Sequence, residues 1–353
     1  MSESPDTPEP TVLARVEGAV GRLTLNRPRA INALDLAMIG LIDEALDAWE
    51  ADSTVTVVVL DGAGDRGLCA GGDVRSLHDE IVAGRPADTA AFFLAEYRLN
   101  ARLAEYPKPI VTLADGITMG GGIGLASHAA LRVVTERSKL AMPETRIGFT
   151  PDVGGTWLLG RAPGHLGEYL GVTGTTLDAA DAVYAGFADH LVPSDRLDAL
   201  RAALAGGGDP AATVREFAVA PGASRLEAAR AWVDETFSAD TLVEVVERLR
   251  TYAEPAASTA LDLMGELAPT GMTVTFEAIR RARELPGLRA DLAQEYGLVM
   301  WFAHTQSDLI EGIRAQLVDK TRDPHWNPAS LADVDPATVE AAFASVPALP
   351  LWA

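Results

Sequence analysis

Residues 110–160 read IVTLADGITMGGGIGLASHAALRVVTERSKLAMPETRIGFTPDVGGTWLLG, and the rest of the chain is organised around this stretch. Residues 110–114 predict a buried strand, and the glycines at 120–122 leave the next turn without side chains. Residues 123–130 then predict a helix. A helix that starts on such a turn exposes free backbone N–H groups, which can hold an oxygen that develops negative charge.

The same stretch carries two acids, each next to a proline in a loop. They are Glu144, in the segment MPE, and Asp152, in the segment PDVGG. Two loop carboxylates eight residues apart suit general acid/base or nucleophilic catalysis. From the local pattern alone, a solvated loop acid or a helix cap is an equal alternative for each.

A similar order of elements precedes this stretch. Residues 55–60 (VTVVVL) predict a parallel strand that is covered on both faces, glycines interrupt residues 62–72, and a helix can begin at Asp73. The order strand, glycine loop, helix recurs at 110–130. We therefore expect two βα units to bring two backbone N–H groups to one point.

The predicted organisation has three parts. Residues 1–10 (MSESPDTPEP) are acidic and rich in proline, so we expect a disordered tail there. Residues 11–205 are predicted to form the α/β core that contains the site, and residues 206–353 a mainly helical carboxyl-terminal region, with the glycines at 206–208 at the boundary. Periodicity further predicts strands at 12–16 and 21–25 and helices at 34–49, 197–205, 224–236, 240–253, 274–284 and 288–305.

Composition excludes several classes of function. The chain has 353 residues and a formal net charge of −21, which argues against a general surface for nucleic acid or acidic membranes. The single cysteine, Cys69, excludes an internal disulfide and fits a reducing compartment. No apolar run approaches about 20 residues, so we expect no membrane span and a cytoplasmic protein. Association of identical copies stays open.

The glycine turn also permits two other interpretations. Gly122, Gly124 and Ser127 follow a strand and open a helix, as in a dinucleotide-binding fingerprint, with Glu136 after the next apolar run. That fingerprint, however, requires Gly or Ala where Ser127 stands, and its acid lies farther along the chain. The other interpretation is a tight structural turn without chemistry.

Four motifs carry a more specific resemblance. They are LCAGGDVR at 68–75, ITMGGGIGLASH at 117–128, AMPETRIGFTPDVGGTW at 141–157 and EGIRAQLVDKTRDPHW at 311–326. In this order they resemble the crotonase superfamily and, within it, the 3-hydroxyisobutyryl-CoA hydrolase family, over about residues 12–326. The resemblance implies an α/β fold, a crotonase-like spiral of ββα turns with a helical carboxyl-terminal region.

The resemblance also implies a function. Members of the hydrolase family cleave a 3-hydroxyacyl-CoA thioester, so the expected reaction converts 3-hydroxyisobutyryl-CoA to 3-hydroxyisobutyrate and CoA in valine breakdown. Coenzyme A is then part of the substrate, and neither a separate cofactor nor a metal is expected. Two other functions stay open: an enoyl-CoA hydratase or isomerase, and a non-catalytic protein that binds acyl-CoA.

The resemblance implies roles for single residues, which are assigned by their positions within the matching motifs. Gly72 and Gly121 correspond to the N–H donors of the family's oxyanion hole. Glu144 and Asp152 correspond to its catalytic glutamate and aspartate, and Glu96, in FFLAEYRLN, to a glutamate that contacts substrate. The resemblance therefore assigns roles to both glycine turns and both loop acids that the residues alone single out.

Further substrate contacts are expected nearby. Ala70 and Asp73 belong to the AGGD loop, where the backbone meets the adenine ring in similar proteins, and the Asp73 side chain is also a candidate cap for its helix. Arg29 is a candidate for binding coenzyme A phosphates, because a guanidinium group pairs well with phosphate. We interpret Cys69 as a small buried packing residue and His128 as a packed or surface histidine.

Two departures from the family pattern bear on function. Enoyl-CoA hydratases of the superfamily carry a second catalytic glutamate just after the glycine turn, where this chain has Gly124. Glycine cannot transfer a proton, whereas Asp152 stands where the hydrolases have their aspartate. The segment APTGMTVT at 268–275 replaces the family's more usual SPTSLKIT, which bears on the preferred acyl group.

Overall fold

The computed structural model describes residues 9–352. The predicted tail at 1–10 therefore falls almost wholly outside the described residues. The strands in the described part are β1 (Val12–Glu17), β2 (Val20–Leu25), β3 (Val57–Gly62), β4 (Gly67–Cys69), β5 (Ile110–Ala114), β6 (Ile117–Met119), β7 (Leu131–Val134), β8 (Lys139–Ala141) and β9 (His190–Leu191).

These strands form two sheets. The large sheet has the order β1-β2-β3-β5-β7-β9, and the small sheet has the order β4-β6-β8. Strands β1 and β2 are an antiparallel hairpin, and all other pairings between these strands are parallel. The central strands β3 and β5 are mostly apolar and are buried along nearly their whole length, as expected of a parallel sheet that is covered on both faces.

One unit, repeated three times, supplies the whole small sheet and the strands β3, β5 and β7 of the large sheet. In the consecutive pairs β3 and β4, β5 and β6, and β7 and β8, the first strand joins the large sheet and the second joins the small sheet. A helix or a 3-10 turn follows each second strand. Each repeat therefore adds one strand to each sheet. This spiral of ββα turns confirms the predicted fold class.

The small sheet positions the functional loops. Because its three strands are parallel, their carboxyl ends lie at one edge, and the segments that follow them emerge side by side. Strand β4 leads into the AGGD loop, β6 into the triple-glycine turn and β8 into the MPE segment. The order of strands thus brings together three motifs that are far apart in the sequence.

Helices cover the sheets and are the main elements of the described chain beyond residue 194. They are α1 (Leu36–Glu50), α2 (Val74–Val82), α3 (Pro86–Glu105), α4 (Gly121–Ala126), α5 (Gly155–Arg161), α6 (Leu166–Thr173), α7 (Ala179–Tyr184), α8 (Leu197–Ala205), α9 (Pro210–Phe217), α10 (Arg225–Phe237), α11 (Leu242–Thr251), α12 (Pro255–Met264), α13 (Pro269–Ala282), α14 (Leu288–Thr305), α15 (Ser307–Ile313) and α16 (Pro336–Ala344). Within residues 9–352, no helix is long and apolar enough to cross a membrane.

Most elements predicted from periodicity are present, with shifted ends. The predicted helix at 123–130 is α4, which begins at Gly121 and ends at Ala126. The helix predicted from residue 274 begins at Pro269, because proline is well tolerated in the first turn. The strands of the small sheet have three residues each, too few to give a periodic signal, and they were not predicted. The boundary at 206–208 stays a prediction.

The carboxyl-terminal helices contact the site through close backbone approaches. Gly148 follows the 3-10 turn Glu144–Ile147, and a Cβ on Gly148 would lie 2.2 Å from the carbonyl oxygen of Asp308. A Cβ on Gly312, in α15, would lie 2.3 Å from the carbonyl carbon of Ile147. Either side chain would force α15 away from the turn that carries Glu144, so both positions require glycine.

Substitution of Gly312 tests this contact. Gly312→Ala should lower the free energy of unfolding by about 1–3 kcal/mol, because the added methyl group overpacks the contact with the 3-10 turn. Gly40→Ala is the matched control, since Gly40 is also helical but has no neighbouring atom within 4 Å of an added Cβ. The control should raise the free energy of unfolding by about 0.5–1 kcal/mol. Denaturant titration measures both, and equal stabilities would contradict the close approach.

Candidate active site

A cavity of about 820 Å³ lies between the loops that follow the small sheet and the carboxyl-terminal segments. It is lined by both glycine turns, by the four acids assigned from the motifs and by several aromatic rings. The lining includes Ala70, Gly72, Asp73, Phe92, Phe93, Glu96, Gly121, Glu144, Phe149 and Asp152. Residues predicted from separate motifs therefore meet at one place.

The two glycine turns lie against each other in the cavity wall. The nitrogen of Gly72 lies 3.2 Å from the position that a Cβ of Gly121 would occupy. In the described chain, neither the Gly72 nor the Gly121 N–H donates to an acceptor. The preceding residues, Gly71 and Gly120, have φ of +111° and +49°, which favour glycine and set the direction of the next peptide. Two free donors can thus stabilise one developing oxyanion.

The two free N–H groups, rather than the dipole of a long helix, supply the partial positive charge between the glycine turns. Helix α4 begins at Gly121 and has six residues, so its dipole is short. A Cβ on Gly121 would lie 2.5 Å from Oε1 of Glu96. Glycine at this position therefore leaves the donor accessible and leaves room for an acid beside it.

Glu144 begins the 3-10 turn that follows β8, and its side chain is buried beside the second glycine turn. Its Oε1 lies 2.9 Å from the position of a Cβ on Gly120, so glycine permits this approach. Its Oε2 is buried and has no hydrogen-bond partner in the described chain. Burial, followed by the charges of Asp152 and Glu96, raises the pKa of Glu144 well above 4.5.

Asp152 lies in the loop before α5 and is also buried. The hydroxyl group of Tyr97 donates a 2.8 Å hydrogen bond to Oδ2 of Asp152. Burial raises the pKa of Asp152 to about 7, although the Tyr97 hydrogen bond favours the charged form. At neutral pH this group can therefore both give up and accept a proton. Tyr97 was not predicted, although it is adjacent to Glu96 in the motif FFLAEYRLN.

Helix α3 brings Glu96 to the same cavity. Burial and the charge of Asp152 raise the pKa of Glu96 well above 4.5, and its Oε1 has no hydrogen-bond partner in the described chain. Among the described residues, no basic side chain lies close enough to Glu96, Glu144 or Asp152 to lower its pKa. Because full ionisation of all three would cost free energy, the cluster retains protons that it can transfer. Among residues 9–352, no group of His, Cys, Asp and Glu is arranged to hold a metal ion.

The backbone that follows Asp152 is strained. Val153 and Gly154 have φ of +55° and +78°, and this region costs a β-branched residue on the order of 1–3 kcal/mol. The Val153 carbonyl oxygen accepts a 2.8 Å hydrogen bond from Nε2 of His128, which therefore carries the proton. Burial lowers the pKa of His128 to about 4, so the imidazole is neutral and packs against the loop.

Of the other residues predicted from the motifs, some lie at the cavity and some do not. Ala70 and Asp73 line the cavity. The predicted cap by Asp73 is wrong: its carboxylate makes no hydrogen bond to the start of α2 and instead accepts from Arg27 Nη2 at 3.1 Å. Arg29 is exposed and does not line the cavity, so its contact with phosphate stays a prediction. Cys69 is buried, and burial raises its pKa to about 12, which excludes a reactive thiolate.

Comparison with known proteins assigns the family. The family model described as enoyl-CoA hydratase/isomerase matches residues 20–343, which is most of the chain. The chain belongs to the enoyl-CoA hydratase/isomerase family. This membership confirms the crotonase resemblance of the four motifs.

Relatives within the family cover almost the whole chain. The 3-hydroxyisobutyryl-CoA hydrolase, mitochondrial, of Xenopus tropicalis is 37% identical over 348 residues, which are 93% of this chain and 87% of the relative. The 3-hydroxyisobutyryl-CoA hydrolase 1 of Arabidopsis thaliana is 38% identical over 348 residues, with shares of 95% and 92%. The crystal structure of a carnitinyl-CoA dehydratase from Mycobacterium thermoresistibile is 47% identical, with a TM-score of 0.93 and shares of 97% and 98%.

The raised pKa of Asp152 predicts a pH-dependent change in stability. Folding raises this pKa from 3.8 to about 7, so the folded protein binds the proton more tightly than the unfolded chain does. The resulting stabilisation is complete below pH 3.8 and is lost as the pH rises to about 7. At pH 8, Asp152→Asn should therefore raise the free energy of unfolding by up to roughly 4 kcal/mol, at about 1.36 kcal/mol per pKa unit.

Denaturant titration at two pH values checks this expectation. The gain from Asp152→Asn should nearly vanish near pH 3, below the pKa of the unfolded chain, where the parent carboxyl group is mostly protonated in both states. Asp65→Asn, a substitution of an exposed acid, is the control and is measured at the same two pH values. A destabilising effect of Asp152→Asn at pH 8 would contradict the unfavourable burial of the charged carboxylate.

Proposed function

We propose that this protein hydrolyses 3-hydroxyacyl-CoA thioesters and that 3-hydroxyisobutyryl-CoA is its substrate. Curated relatives whose names state this activity match nearly the whole chain. The observation that carries the proposal is the convergence of the Gly72 and Gly121 N–H groups with the carboxyl groups of Glu144 and Asp152 at one cavity. Acyl-CoA is thus the small-molecule partner, and no separate cofactor takes part.

The two glycine turns act on the thioester carbonyl group. Its oxygen accepts hydrogen bonds from the N–H groups of Gly72 and Gly121 when the acyl group is bound. When a nucleophile adds to the carbonyl carbon, the oxygen becomes negative, and the donors stabilise this charge without moving. The removal of one such donor typically costs about 3 kcal/mol of activation free energy.

Glu144 acts in its ionised form, by one of two routes. Its carboxylate adds to the carbonyl carbon and forms a mixed anhydride, which water then hydrolyses, or it removes a proton from a water molecule that adds directly. In both routes the C–S bond breaks, the CoA thiolate takes up a proton, and water supplies the new oxygen of the acid. The raised pKa of Glu144 means that the active fraction increases with pH.

Asp152 serves the substrate hydroxyl group and the transfer of protons. Its Oδ2 is held by Tyr97, which leaves Oδ1 to accept a hydrogen bond from the 3-hydroxyl group. Its pKa of about 7 suits a group that delivers a proton to the departing thiolate. Glu96 lies beside the Gly121 turn and contacts the acyl portion.

Hydration of an enoyl-CoA, or the reverse reaction, is the second candidate function. It is favoured by the similarity to the Mycobacterium thermoresistibile dehydratase structure. In superfamily hydratases the second glutamate stands at the position of Gly124. Here a Cβ on Gly124 would lie 2.7 Å from both Asn100 Nδ2 and Val153 Cβ, so the Asp152 loop fills the space for a longer side chain. This packing supports hydrolysis over hydration.

The departure from the family pattern at 268–275 acts on the cavity wall. Phe149 lines the cavity, and a Cβ on Gly271 would lie 2.7 Å from its carbonyl oxygen. A side chain at position 271 would therefore displace Phe149. We infer that this glycine sets the position of the Phe149 ring and thereby the acyl groups that fit.

Location and assembly are separate proposals. The composition and the charge of −21 support a cytoplasmic protein, whereas the Xenopus tropicalis relative is named as mitochondrial. Association of identical copies is compatible with the fold, and size-exclusion chromatography with light scattering measures it.

One assay distinguishes the candidate functions. The purified protein is mixed with 3-hydroxyisobutyryl-CoA, and free thiol is measured with a chromogenic disulfide while the enoyl absorbance is followed in parallel. Hydrolysis releases one thiol for each substrate consumed and leaves the enoyl absorbance unchanged. Enoyl absorbance without thiol would establish the dehydratase, and binding without either signal would establish a non-catalytic protein.

Glu144→Gln tests the catalytic acid. The amide keeps the shape of the side chain but is neither a base nor a nucleophile, so kcat should fall by about 10²–10⁴-fold while substrate still binds. Glu247→Gln, on the exposed face of α11, is the control and should retain the parent kcat. Thiol release and equilibrium binding measure the two effects, and near-parental turnover by Glu144→Gln would refute its role.

A further inference from the structure

Two acids on α14 are wholly buried and lie outside the cavity lining: Asp291 and Glu295. They are four residues apart in the helix and therefore share one face. In the described part of the chain, neither lies within salt-bridge distance of a basic side chain, and only the more distant Arg161 attracts Asp291. A buried carboxyl group without an ion pair requires N–H or O–H donors, so the donors identify what these acids hold.

The donors are successive groups of the PDVGG loop and the start of α5. Glu295 accepts from the N–H groups of Gly154 at 2.6 Å and Thr156 at 2.8 Å. Asp291 accepts from the N–H group of Trp157 at 2.9 Å. The hydroxyl group of Thr156 lies 2.7 Å from Glu295 Oε1 and 3.0 Å from Asp291 Oδ1, so it links the two acids.

These contacts fix the peptides directly after Asp152. Val153 and Gly154 have left-handed backbone conformations, which would relax without outside contacts. His128 holds the Val153 carbonyl group from one side, and Glu295 holds the Gly154 N–H group from the other. The loop is thus held between the turn that follows α4 and helix α14, and its position determines where the Asp152 carboxyl group lies in the cavity.

We propose that Glu295, with Asp291 beside it, is a positioning residue that places the Asp152 carboxyl group against the substrate hydroxyl. The inference rests on the proposed hydrolase function and extends it to helix α14, which lies outside all the motifs that assign the site. Glu295 does not touch substrate. It acts through the backbone from Gly154 to Thr156.

Replacement of Glu295 by glutamine is the sharpest change. Its two carboxyl oxygens accept from two different N–H groups, whereas an amide offers one accepting oxygen and one nitrogen that donates. Glu295→Gln therefore leaves the N–H group of either Gly154 or Thr156 without its acceptor. The amide NH₂ group of the glutamine then faces that backbone N–H group, and two donors cannot form a hydrogen bond. The loop shifts, but the residues that contact substrate remain unchanged.

The experiment is a double-mutant cycle between positions 295 and 152, measured as kcat/KM for 3-hydroxyisobutyryl-CoA hydrolysis. In the parent, Glu295→Gln should lower kcat/KM by about 10²-fold, the typical effect of a misplacement of about 1 Å. In the Asp152→Asn background, the same change should have an effect within about threefold, because the interaction it supports is already lost. The loss should also be smaller for isobutyryl-CoA, which lacks the hydroxyl group.

Asp181→Asn is the matched control for a general loss of packing. Asp181 is also buried and accepts from the Leu226 N–H group near the start of α10, yet it does not line the cavity. Its effect on kcat/KM should be equal in the parent and in the Asp152→Asn background. Melting temperatures of all variants identify those that are merely destabilised, and Asp291→Asn replaces Glu295→Gln in the cycle if the latter does not accumulate in folded form.

The possible results distinguish a failure of the positioning role of Glu295 from a failure of the proposed hydrolase mechanism. Equal losses from Glu295→Gln in both backgrounds, or no loss in the parent, would overturn the positioning role while the hydrolase assignment stands. Full activity of Asp152→Asn itself would remove Asp152 from the proposed mechanism, and the positioning role would fall with it. Loss confined to the parent background would establish the coupling.

Discussion

The burial of three carboxyl groups around one cavity is the constraint on which the rest of the structure depends. Glu96, Glu144 and Asp152 come from a helix, a 3-10 turn and a loop, and no cation compensates them in the described chain. Their burial costs free energy and raises the pKa of each carboxyl group above its ordinary value, so that the cluster retains protons. A large apolar core, shared by the sheets and the carboxyl-terminal helices, offsets that cost.

The glycine turns and the loop acids of the site could be predicted because each is formed by residues that are contiguous in the sequence. The AGGD and triple-glycine segments indicate turns with free N–H groups, and the proline-flanked Glu144 and Asp152 indicate loop acids. The strand at β3 and the helix at α14 could be predicted because each buries a regular apolar pattern. The resemblance of four motifs joined these parts into a single site, and the structure brings the same residues to one cavity.

The supporting contacts could not be predicted, because they join residues that are distant in the sequence. Tyr97 reaches Asp152 across 55 residues, and Glu295 reaches Gly154 across 141 residues. An acid within a helix pattern, such as Glu295, is normally a solvated residue, and its burial depends on how α14 packs against α5. The cap predicted for Asp73 failed for a related reason, since Arg27 competes for the carboxylate.

The central claim is that backbone donors on the two glycine turns polarise a thioester carbonyl group beside Glu144. The most direct measurement is the infrared frequency of the carbonyl band of ¹³C-labelled 3-hydroxyisobutyryl-CoA bound to the Glu144→Gln variant, in which the substrate persists. Hydrogen bonds from Gly72 and Gly121 should weaken the C=O bond and move the band to lower frequency than in free substrate. A bound carbonyl band at the frequency of free substrate would contradict the account.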